Sequence, residues 1–209
     1  RVKVGIVVPF SWSFWGAVVE HAELQAAALR ALGHDQPSDD AEHLFRRCGP
    51  VWLTFAAAHT SRIALATGVL NLPWYNPVLL ARRLTTLDVL SRGRLRVGFG
   101  IGWSPDEYEA AGAPWQDRGK RADESIEIIK KIWTTDPVEF QGKHYRITKS
   151  FVGPKPVQKP HPPIYVTANR DPESFNMIGE RGHHLMTLPW IATNEEQRAR
   201  VEMYWAALR

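Results

Sequence analysis

The sequence predicts an α/β fold in which parallel strands are joined by crossover helices. Short β-branched apolar runs alternate along the chain with longer segments whose apolar residues recur every three or four positions. Gly, Asn and Pro residues typical of turns separate these segments, and the sequence contains neither repeats nor low-complexity stretches. The alternation does not by itself distinguish a doubly wound sheet from a (β/α) barrel.

The first elements are a buried strand and an amphipathic helix. Residues 2–8 form a short β-branched apolar run, and residues 17–32 carry apolar side chains along one side before Gly33 stops the helix. A strand is expected between this helix and the next one, which spans residues 51–59. Residues 35–48 contain no β-branched run, so strand two is doubtful.

The middle of the chain supplies two further pairs of a strand and a helix. Residues 62–67 form a strand that Gly68 ends, and Asn76 caps a helix whose first turn contains Pro77. Gly93 ends that helix, and another strand and another helix follow. The apolar residues that mark these last three elements are Leu80, Leu84, Leu87, Leu90, then Leu95, Val97, Phe99, and then Ala122, Ile126, Ile129 and Trp133.

The last third begins with an insertion at about residues 136–163. Residues 138–147 are typical of a hairpin turning at Gln141 and Gly142, and residues 150–163 contain five prolines, which predicts an extended segment outside any ladder. Strands and helices then resume in a single domain of 209 residues. The final strands are predicted at 164–167 and 184–187, and the final helices at 172–180 and 194–208.

Composition and charge limit the kinds of function that the chain can have. The formal net charge is +4, but basic residues are scattered among acids without a run of five, so no nucleic-acid partner is expected. No apolar stretch approaches the roughly 20 residues that cross a bilayer, so no membrane partner is expected. The start of the chain does not resemble a secretory signal, and Cys48 has no second cysteine to pair with. These features indicate a cytoplasmic protein.

From about residue 41 onward the chain resembles the luciferase-like monooxygenase family, in particular its F420-associated branch. The resemblance covers about four fifths of the chain, and its motifs follow one another in the family's order. The matching runs are AEHLF at 41–45, TSRIALATGVL at 60–70, YNP at 75–77, LTTLD at 84–88, GRLRVGFGIGW at 93–103, DEY at 106–108, Arg118, Gly119, Arg121, Asp123 and Glu124, PKPVQ at 154–158 and PHPPI at 160–164.

The resemblance implies an incomplete (β/α)8 TIM-type barrel of about six βα units, shorter at its C-terminal end than a full barrel of ~250 residues. It implies an oxidoreductase acting on a small organic substrate with coenzyme F420 or FMN. F420 would support hydride transfer, and reduced FMN with oxygen would support monooxygenation. Unpaired strand edges in an incomplete barrel favour a homo-oligomer.

The resemblance also assigns cofactor-binding residues to the ends of the strands. It implies a non-prolyl cis peptide between Gly68 and Val69, after Thr67, which forms a bulge behind the cofactor ring; the alternative is a glycine that simply ends a strand. Asn76 is a further candidate contact, although capping alone explains it. Gly100 belongs to a glycine-rich run that either approaches a phosphate or packs closely against a neighbouring strand.

A second turn and two ionisable residues complete the candidate site. Thr167, Ala168 and Asn169 correspond to a family turn that binds the cofactor phosphate through backbone N–H groups. His43 and Glu107 are the candidate catalytic residues, and His43 could equally be a surface residue. Trp103 stands where some F420-dependent dehydrogenases carry a catalytic Glu, which argues against their sugar-phosphate chemistry. No metal site is expected, because His183 and His184 have no third ligand at suitable spacing.

Two other hypotheses follow from the two ends of the chain. Residues 4–12 and 29–35 resemble the opening strand and helix of GT-B glycosyltransferases, although Gly16 and Ala17 replace the glycine pair of that family. The chain could therefore be a fragment of such a glycosyltransferase. The short C-terminal end and the doubtful second strand also leave open a non-catalytic remnant of the barrel.

Overall fold

The computed structural model describes residues 6–9, 49–188 and 192–209. The helix predicted at 17–32, the doubtful strand region at 35–48 and His43 lie outside these ranges. In chain order the elements are β1 Ile6–Pro9, α1 Gly49–His59, β2 Leu65–Gly68, β3 Leu70–Asn71, a 3-10 turn Leu72–Trp74, α2 Pro77–Leu90, β4 Leu95–Gly100, α3 Pro105–Ala110, α4 Arg118–Thr134, β5 Val138–Gln141, β6 Arg146–Ser150, β7 Ile164–Thr167, α5 Pro172–Glu180, β8 His184–Met186 and α6 Asn194–Leu208.

The main sheet is parallel, with strand order β1-β2-β4-β7-β8 and the short β3 also paired with β4. Helices connect the successive parallel strands, which confirms the predicted α/β architecture with crossover helices. Because every strand in this sheet runs in the same direction, all their carboxyl ends lie at one edge, which we call the carboxyl edge. None of the described helices is both long and apolar enough to span a membrane.

Strand β1 lies directly beside β2, and this pairing bears on the doubtful second strand. Ile6 pairs with Leu65 and Val8 pairs with Thr67 in parallel register. In a complete barrel the second strand would separate the first from the third. Here β1 pairs directly with β2, so the ladder formed by the described residues has no strand at the position of the second one.

The hydrophobic core lies between the sheet and helices α1, α2 and α4. Strand β4 is central, and the side chains of Leu95, Val97 and Phe99 are fully buried, as their alternation predicts. Trp133 on α4 is also buried, and its indole Nε1 donates to Thr85 Oγ1 of α2 at 3.0 Å. A smaller cluster holds α5 against α6 and contains Ala168, Phe175, Ile178 and Tyr204.

The edge opposite the carboxyl edge is held together by the guanidinium of Arg94, in the motif GRL. Its Nη2 donates to the carbonyl oxygens of Ala57 at 3.0 Å and Thr60 at 2.8 Å, and its Nη1 donates to that of Ile63 at 3.0 Å. These bonds fix the turn between α1 and β2. They also explain a difference from prediction: β2 begins at Leu65 rather than residue 62, because the preceding carbonyl groups face Arg94.

A second motif, PKPVQ, is anchored on the buried carboxylate of Asp88. Asp88 Oδ2 accepts from the backbone N of Val157 at 2.8 Å, and Oδ1 accepts from Gln158 Nε2 at 2.7 Å. The Lys155 ammonium caps the end of α4 by donating to the carbonyl oxygen of Ile132 at 2.6 Å. The proline-rich segment is therefore extended and outside the ladders, as predicted, but it is fixed by the Asp88 carboxylate of α2 and by a backbone carbonyl of α4.

The insertion contains the predicted hairpin, with its turn shifted toward the C-terminus. Strands β5 and β6 pair antiparallel, and residues 142–145 form the turn, whereas Gln141 still belongs to β5. Glu124 of α4 anchors this turn by accepting backbone N–H bonds from Lys143, His144 and Tyr145 at 2.8 to 3.0 Å. Glu124 thus has a structural role, and its partners are backbone N–H groups.

Candidate active site

Three strand ends that sequence analysis singled out meet at the carboxyl edge. The Thr67 hydroxyl at the end of β2 accepts from Gly98 N at 2.7 Å and donates to Gly98 O at 3.0 Å, both in β4. The Thr167 hydroxyl at the end of β7 donates to Phe99 O at 3.2 Å. The ends that follow Thr67, Phe99 and Val166 therefore converge on one place.

The peptide bond between Gly68 and Val69 is cis, as the resemblance implies. It lies between β2 and β3, where the chain leaves the ladder for one residue before pairing with β4 again. The Val69 side chain then covers β4: its Cγ1 lies 3.1 Å from the position of a Cβ built on Gly98, and its Cγ2 lies 2.8 Å from one built on Gly100. The bulge thus places an apolar side chain at the centre of the carboxyl edge.

Gly98 and Gly100 are glycines because neighbouring strands pack against them. A Cβ on Gly98 would stand 2.3 Å from Thr67 O, and one on Gly100 would stand 2.9 Å from Thr167 Oγ1. Of the two hypotheses for this glycine-rich run, close packing accounts for these distances. Val69 and Thr167 occupy the space beside Gly100 that a bound phosphate would need.

Asn71, at the end of β3, is a candidate that sequence analysis missed. Only 3% of the residue is exposed, and its side-chain Nδ2 has no hydrogen-bond partner among the described residues. Its Oδ1 lies 3.8 Å from the position of a Cβ on Gly100, the same position that Val69 and Thr167 crowd. Position alone, at the end of a strand, could have suggested it, but burial without a partner is visible only in the structure.

An aromatic cluster that sequence analysis also missed lies next to Asn71. Tyr108 packs edge-on against Trp74 and Trp115, with ring centroids 5.8 and 5.1 Å away, and the guanidinium carbon of Arg118 lies 3.8 Å from the Trp115 ring centroid. The Tyr108 hydroxyl donates to the carbonyl oxygen of Ile101. Burial raises the pKa of Tyr108 to about 12 despite the opposing charge of Arg118, so this phenol stays protonated at neutral pH.

Glu107, the described candidate for catalysis, belongs to the first turn of α3 beside Tyr108. Its Oε2 is buried and accepts no hydrogen bond from the described residues. A buried carboxylate oxygen without a partner is costly and calls for an explanation, such as a catalytic role. Within the described residues, Glu107 therefore keeps one buried oxygen available as a hydrogen-bond acceptor. His43 cannot be compared with it, because it lies outside the described residues.

Asn76 and the turn after β7 use their polar groups within the protein. The Oδ1 of Asn76, which is exposed, caps α2 by accepting from Val78 N at 3.0 Å and Leu79 N at 3.2 Å. The backbone N–H of Ala168 donates to Met186 O at 3.1 Å, and Asn169 Oδ1 accepts from Leu188 N at 3.1 Å.

The helix that follows β7 is capped from within the chain as well. Asp171 caps α5 by accepting from the backbone N of Glu173 and Ser174, each at 3.2 Å. The Asp171 carboxylate thus stands where a phosphate at this helix N-terminus would have to bind. A phosphate bound at the turn of Thr167, Ala168 and Asn169 through backbone N–H groups would have to replace existing partners. These are Met186 O on the N–H of Ala168 and the Asp171 carboxylate at the start of α5.

The donors and apolar groups at the carboxyl edge suit a flat ring that carries hydrogen-bond acceptors. Val69 offers an apolar surface, and the Asn71 Nδ2 and Trp74 Nε1 groups are buried donors without partners among the described residues. An isoalloxazine or deazaflavin ring has carbonyl oxygens and ring nitrogens that accept hydrogen bonds. Within the described part of the chain, no three His, Cys, Asp or Glu side chains gather as metal ligands.

Comparison with known proteins relates this geometry to a family. The profile of the luciferase-like monooxygenase family matches residues 39–209. An uncharacterised protein of Mycobacterium tuberculosis (strain ATCC 25618 / H37Rv) is 35% identical over 195 residues, which cover 91% of this chain and 68% of the relative. The monooxygenase RslO1 of Streptomyces bottropensis superposes with a TM-score of 0.79 at 28% identity, covering 99% of this chain and 66% of that structure.

Two relatives with named activities use different cofactors. An FMNH2-dependent dimethylsulfone monooxygenase of Pseudomonas putida is 38% identical over 111 residues, which are 52% of this chain and 30% of that protein. An F420-dependent glucose-6-phosphate dehydrogenase of Amycolatopsis mediterranei (strain U-32) is 33% identical over 121 residues, which are 56% of this chain and 36% of that protein. The chain therefore spans about two thirds of the length of the mycobacterial relative and of RslO1, and less of these two enzymes.

Proposed function

The chain belongs to the luciferase-like monooxygenase family, and we propose that it acts as an FMN- or F420-dependent oxidoreductase on a small organic substrate. The observation that carries this proposal is the convergence of the ends of β2, β4 and β7 around the bulge at Gly68 and Val69. The named relatives are oxidoreductases of these two cofactor types. A glycosyltransferase is not favoured, because the family profile covers residues 39–209.

The residues at the carboxyl edge would bind and orient the cofactor ring. Val69 would support one face of the ring, while Thr67 and Thr167 hold β2 and β7 against β4 so that this surface stays fixed. FMN or F420, when bound, supplies the redox chemistry, either oxygen activation or hydride transfer. Glu107 is the described group that could hold or move a proton near the ring, and His43 is a second candidate from the sequence.

The remaining expectations from the sequence stay proposals. We propose that residues 1–209 form one domain with its insertion at about 136–163, that the protein is cytoplasmic, and that it forms a homo-oligomer. Asn76, Ala168 and Asn169 remain candidate cofactor contacts, although their polar groups are engaged within the chain. The competing hypothesis is a non-catalytic remnant of the barrel, which would bind neither cofactor.

Equilibrium binding of the two cofactors tests the proposal. Purified protein is titrated with FMN and, separately, with F420, and binding is followed by quenching of cofactor fluorescence and by shifts in the absorption bands of the ring. We expect saturable binding of one of them at a stoichiometry of about one per chain. UDP-glucose serves as the control ligand for the glycosyltransferase hypothesis. Absence of saturable binding of both cofactors would contradict the proposal and support the remnant.

A further inference from the structure

We infer that the side-chain amide of Asn71 binds the cofactor ring by donating a hydrogen bond to one of its carbonyl or ring-nitrogen acceptors. The inference rests on the proposed function and names a binding residue for it. Asn71 is 97% buried, because only 3% of its surface is exposed, yet its Nδ2 has no partner among the described residues. A buried donor left unpaired costs about 1–3 kcal/mol, so a ligand that supplies the acceptor explains its presence.

The position of Asn71 relates it to the proposed ring surface. Asn71 pairs in register with Gly100 of β4 and follows the cis peptide by two residues. The Cγ2 atom of Val69, the Oγ1 atom of Thr167 and the Oδ1 atom of the Asn71 amide lie 2.8, 2.9 and 3.8 Å, respectively, from the position of a Cβ built on Gly100. The amide therefore stands beside the apolar surface of Val69, where it would meet the edge of a ring supported by that surface.

The other neighbours of the Asn71 amide confine its side chain but do not accept a hydrogen bond from Nδ2. A Cβ built on Gly102 would lie 3.1 Å from Asn71 Nδ2 and 3.2 Å from Tyr108 Cε2, so the backbone of Gly102 and the ring of Tyr108 confine the Asn71 side chain. The Tyr108 hydroxyl is committed to the carbonyl oxygen of Ile101. Because Nδ2 carries two N–H groups and no lone pair in the amide plane, its partner must be an acceptor.

Two substitutions at this position separate a donor role from a structural one. In N71L an apolar side chain of similar size replaces the amide, and in N71D acceptor oxygens replace the donor. We expect N71L to raise the dissociation constant of the cofactor about tenfold, and N71D to raise it further because its carboxylate repels the carbonyl oxygens of the ring. Without cofactor, the melting temperature of N71L should be equal to or above that of the wild type, because an unpaired buried donor has been removed.

The experiment titrates FMN and F420 into each cofactor-free protein and records fluorescence quenching, ring absorption and thermal unfolding. N176L, which makes the same change on α5, serves as the matched control and should bind as the wild type does. Wild-type affinity in N71L and N71D, or a lower melting temperature of N71L with unchanged affinity, would overturn the inference while leaving the proposed function intact. If the wild type binds neither cofactor, both the proposed function and this inference are wrong.

Discussion

His183 shows how one buried side chain can set the pH dependence of stability. It lies between α5 and β8 with 8% of its surface exposed. Burial, reinforced by the charges of Lys130 and Arg181, lowers its pKa from 6.5 to about 4. The folded protein therefore keeps His183 neutral at a pH where the unfolded chain already binds a proton.

This shift predicts an acid-sensitive stability. The contribution of His183 to the free energy of unfolding is complete above pH 6.5. It is lost as the pH falls toward 4, because the unfolded state takes up the proton first. The loss of unfolding free energy reaches up to about 3 kcal/mol. Urea unfolding at pH 7, 6, 5 and 4 measures it. H183F should show a flatter dependence than the wild type, and H184Q, the control at the neighbouring position, should follow the wild type. Parallel curves for H183F and the wild type would contradict the prediction.

Gly100 shows the close packing at the carboxyl edge most directly. A methyl group at this position would come within 2.8 Å of Val69 Cγ2 and 2.9 Å of Thr167 Oγ1. We expect G100A to lower the free energy of unfolding by about 1–3 kcal/mol, because the crowding forces neighbouring side chains or strands to move. Chemical denaturation measures the change. G119A on α4, where nothing lies within 4 Å of the new methyl group, is the control and should be neutral or slightly stabilising.

At the scale of elements, side chains of the helices fix segments that lack regular ladders. Asp88 of α2 holds the proline-rich segment, and Glu124 of α4 holds the hairpin turn. Burial of the Glu124 carboxyl acts to raise its pKa, but hydrogen bonds from the backbone N–H groups of His144, Lys143 and Tyr145 lower it overall. The motifs that identify the family are therefore in large part the contacts that assemble its scaffold.

The hairpin provides the prediction at this scale. In E124Q the amide cannot accept all three backbone N–H bonds, so hydrogen exchange at residues 143–145 should accelerate. The free energy of unfolding should fall by about 1–2 kcal/mol. In the wild type this stabilisation is present above a pH of about 4.5 and is lost as the pH falls through the lowered pKa, whereas E124Q lacks that dependence. E127Q, which removes an exposed ion pair with Lys131 on the same helix, should change stability by less than about 0.5 kcal/mol. Equal exchange in E124Q and the wild type would contradict the role of Glu124.

At the scale of the molecule, β1 and β8 are the outermost strands of the sheet order. Neither pairs on its outer side within the described ranges, and exposed strand edges favour association with another chain. Helix α6 also exposes apolar side chains, with Trp205 52% and Leu208 37% accessible. These features are the physical basis of the proposed homo-oligomer.

Sedimentation velocity at micromolar concentrations tests the oligomeric state. We expect a species of at least two chains, because burying strand edges and apolar side chains favours association. W205E should shift the distribution toward smaller species, whereas E202Q on the same helix should not. A wild-type protein that sediments as a monomer throughout this range would show that the homo-oligomer prediction is wrong.

The sequence by itself determined several of the elements together with their ends. The helix at Pro172–Glu180, the strand at Ile164–Thr167 and the helix at Asn194–Leu208 are found as predicted. Each depends on interactions within a few residues, such as a capping carboxylate or an apolar periodicity. The short helix Pro105–Ala110 was missed, because six residues carry too little periodicity to identify it.

Only the tertiary structure decided which distant groups meet. The pairing of β1 with β2, the contact of Glu124 with residues 19 to 21 positions away, and the crowding at Gly100 depend on how elements approach in space. The same holds for the candidate site: the family motifs suggested Thr67, Gly68 and Val69, but the burial of Asn71 without a partner appears only when β3 lies against β4. Local sequence encodes bonds between neighbours along the chain, whereas a site is made by long-range packing that brings separate strand ends together.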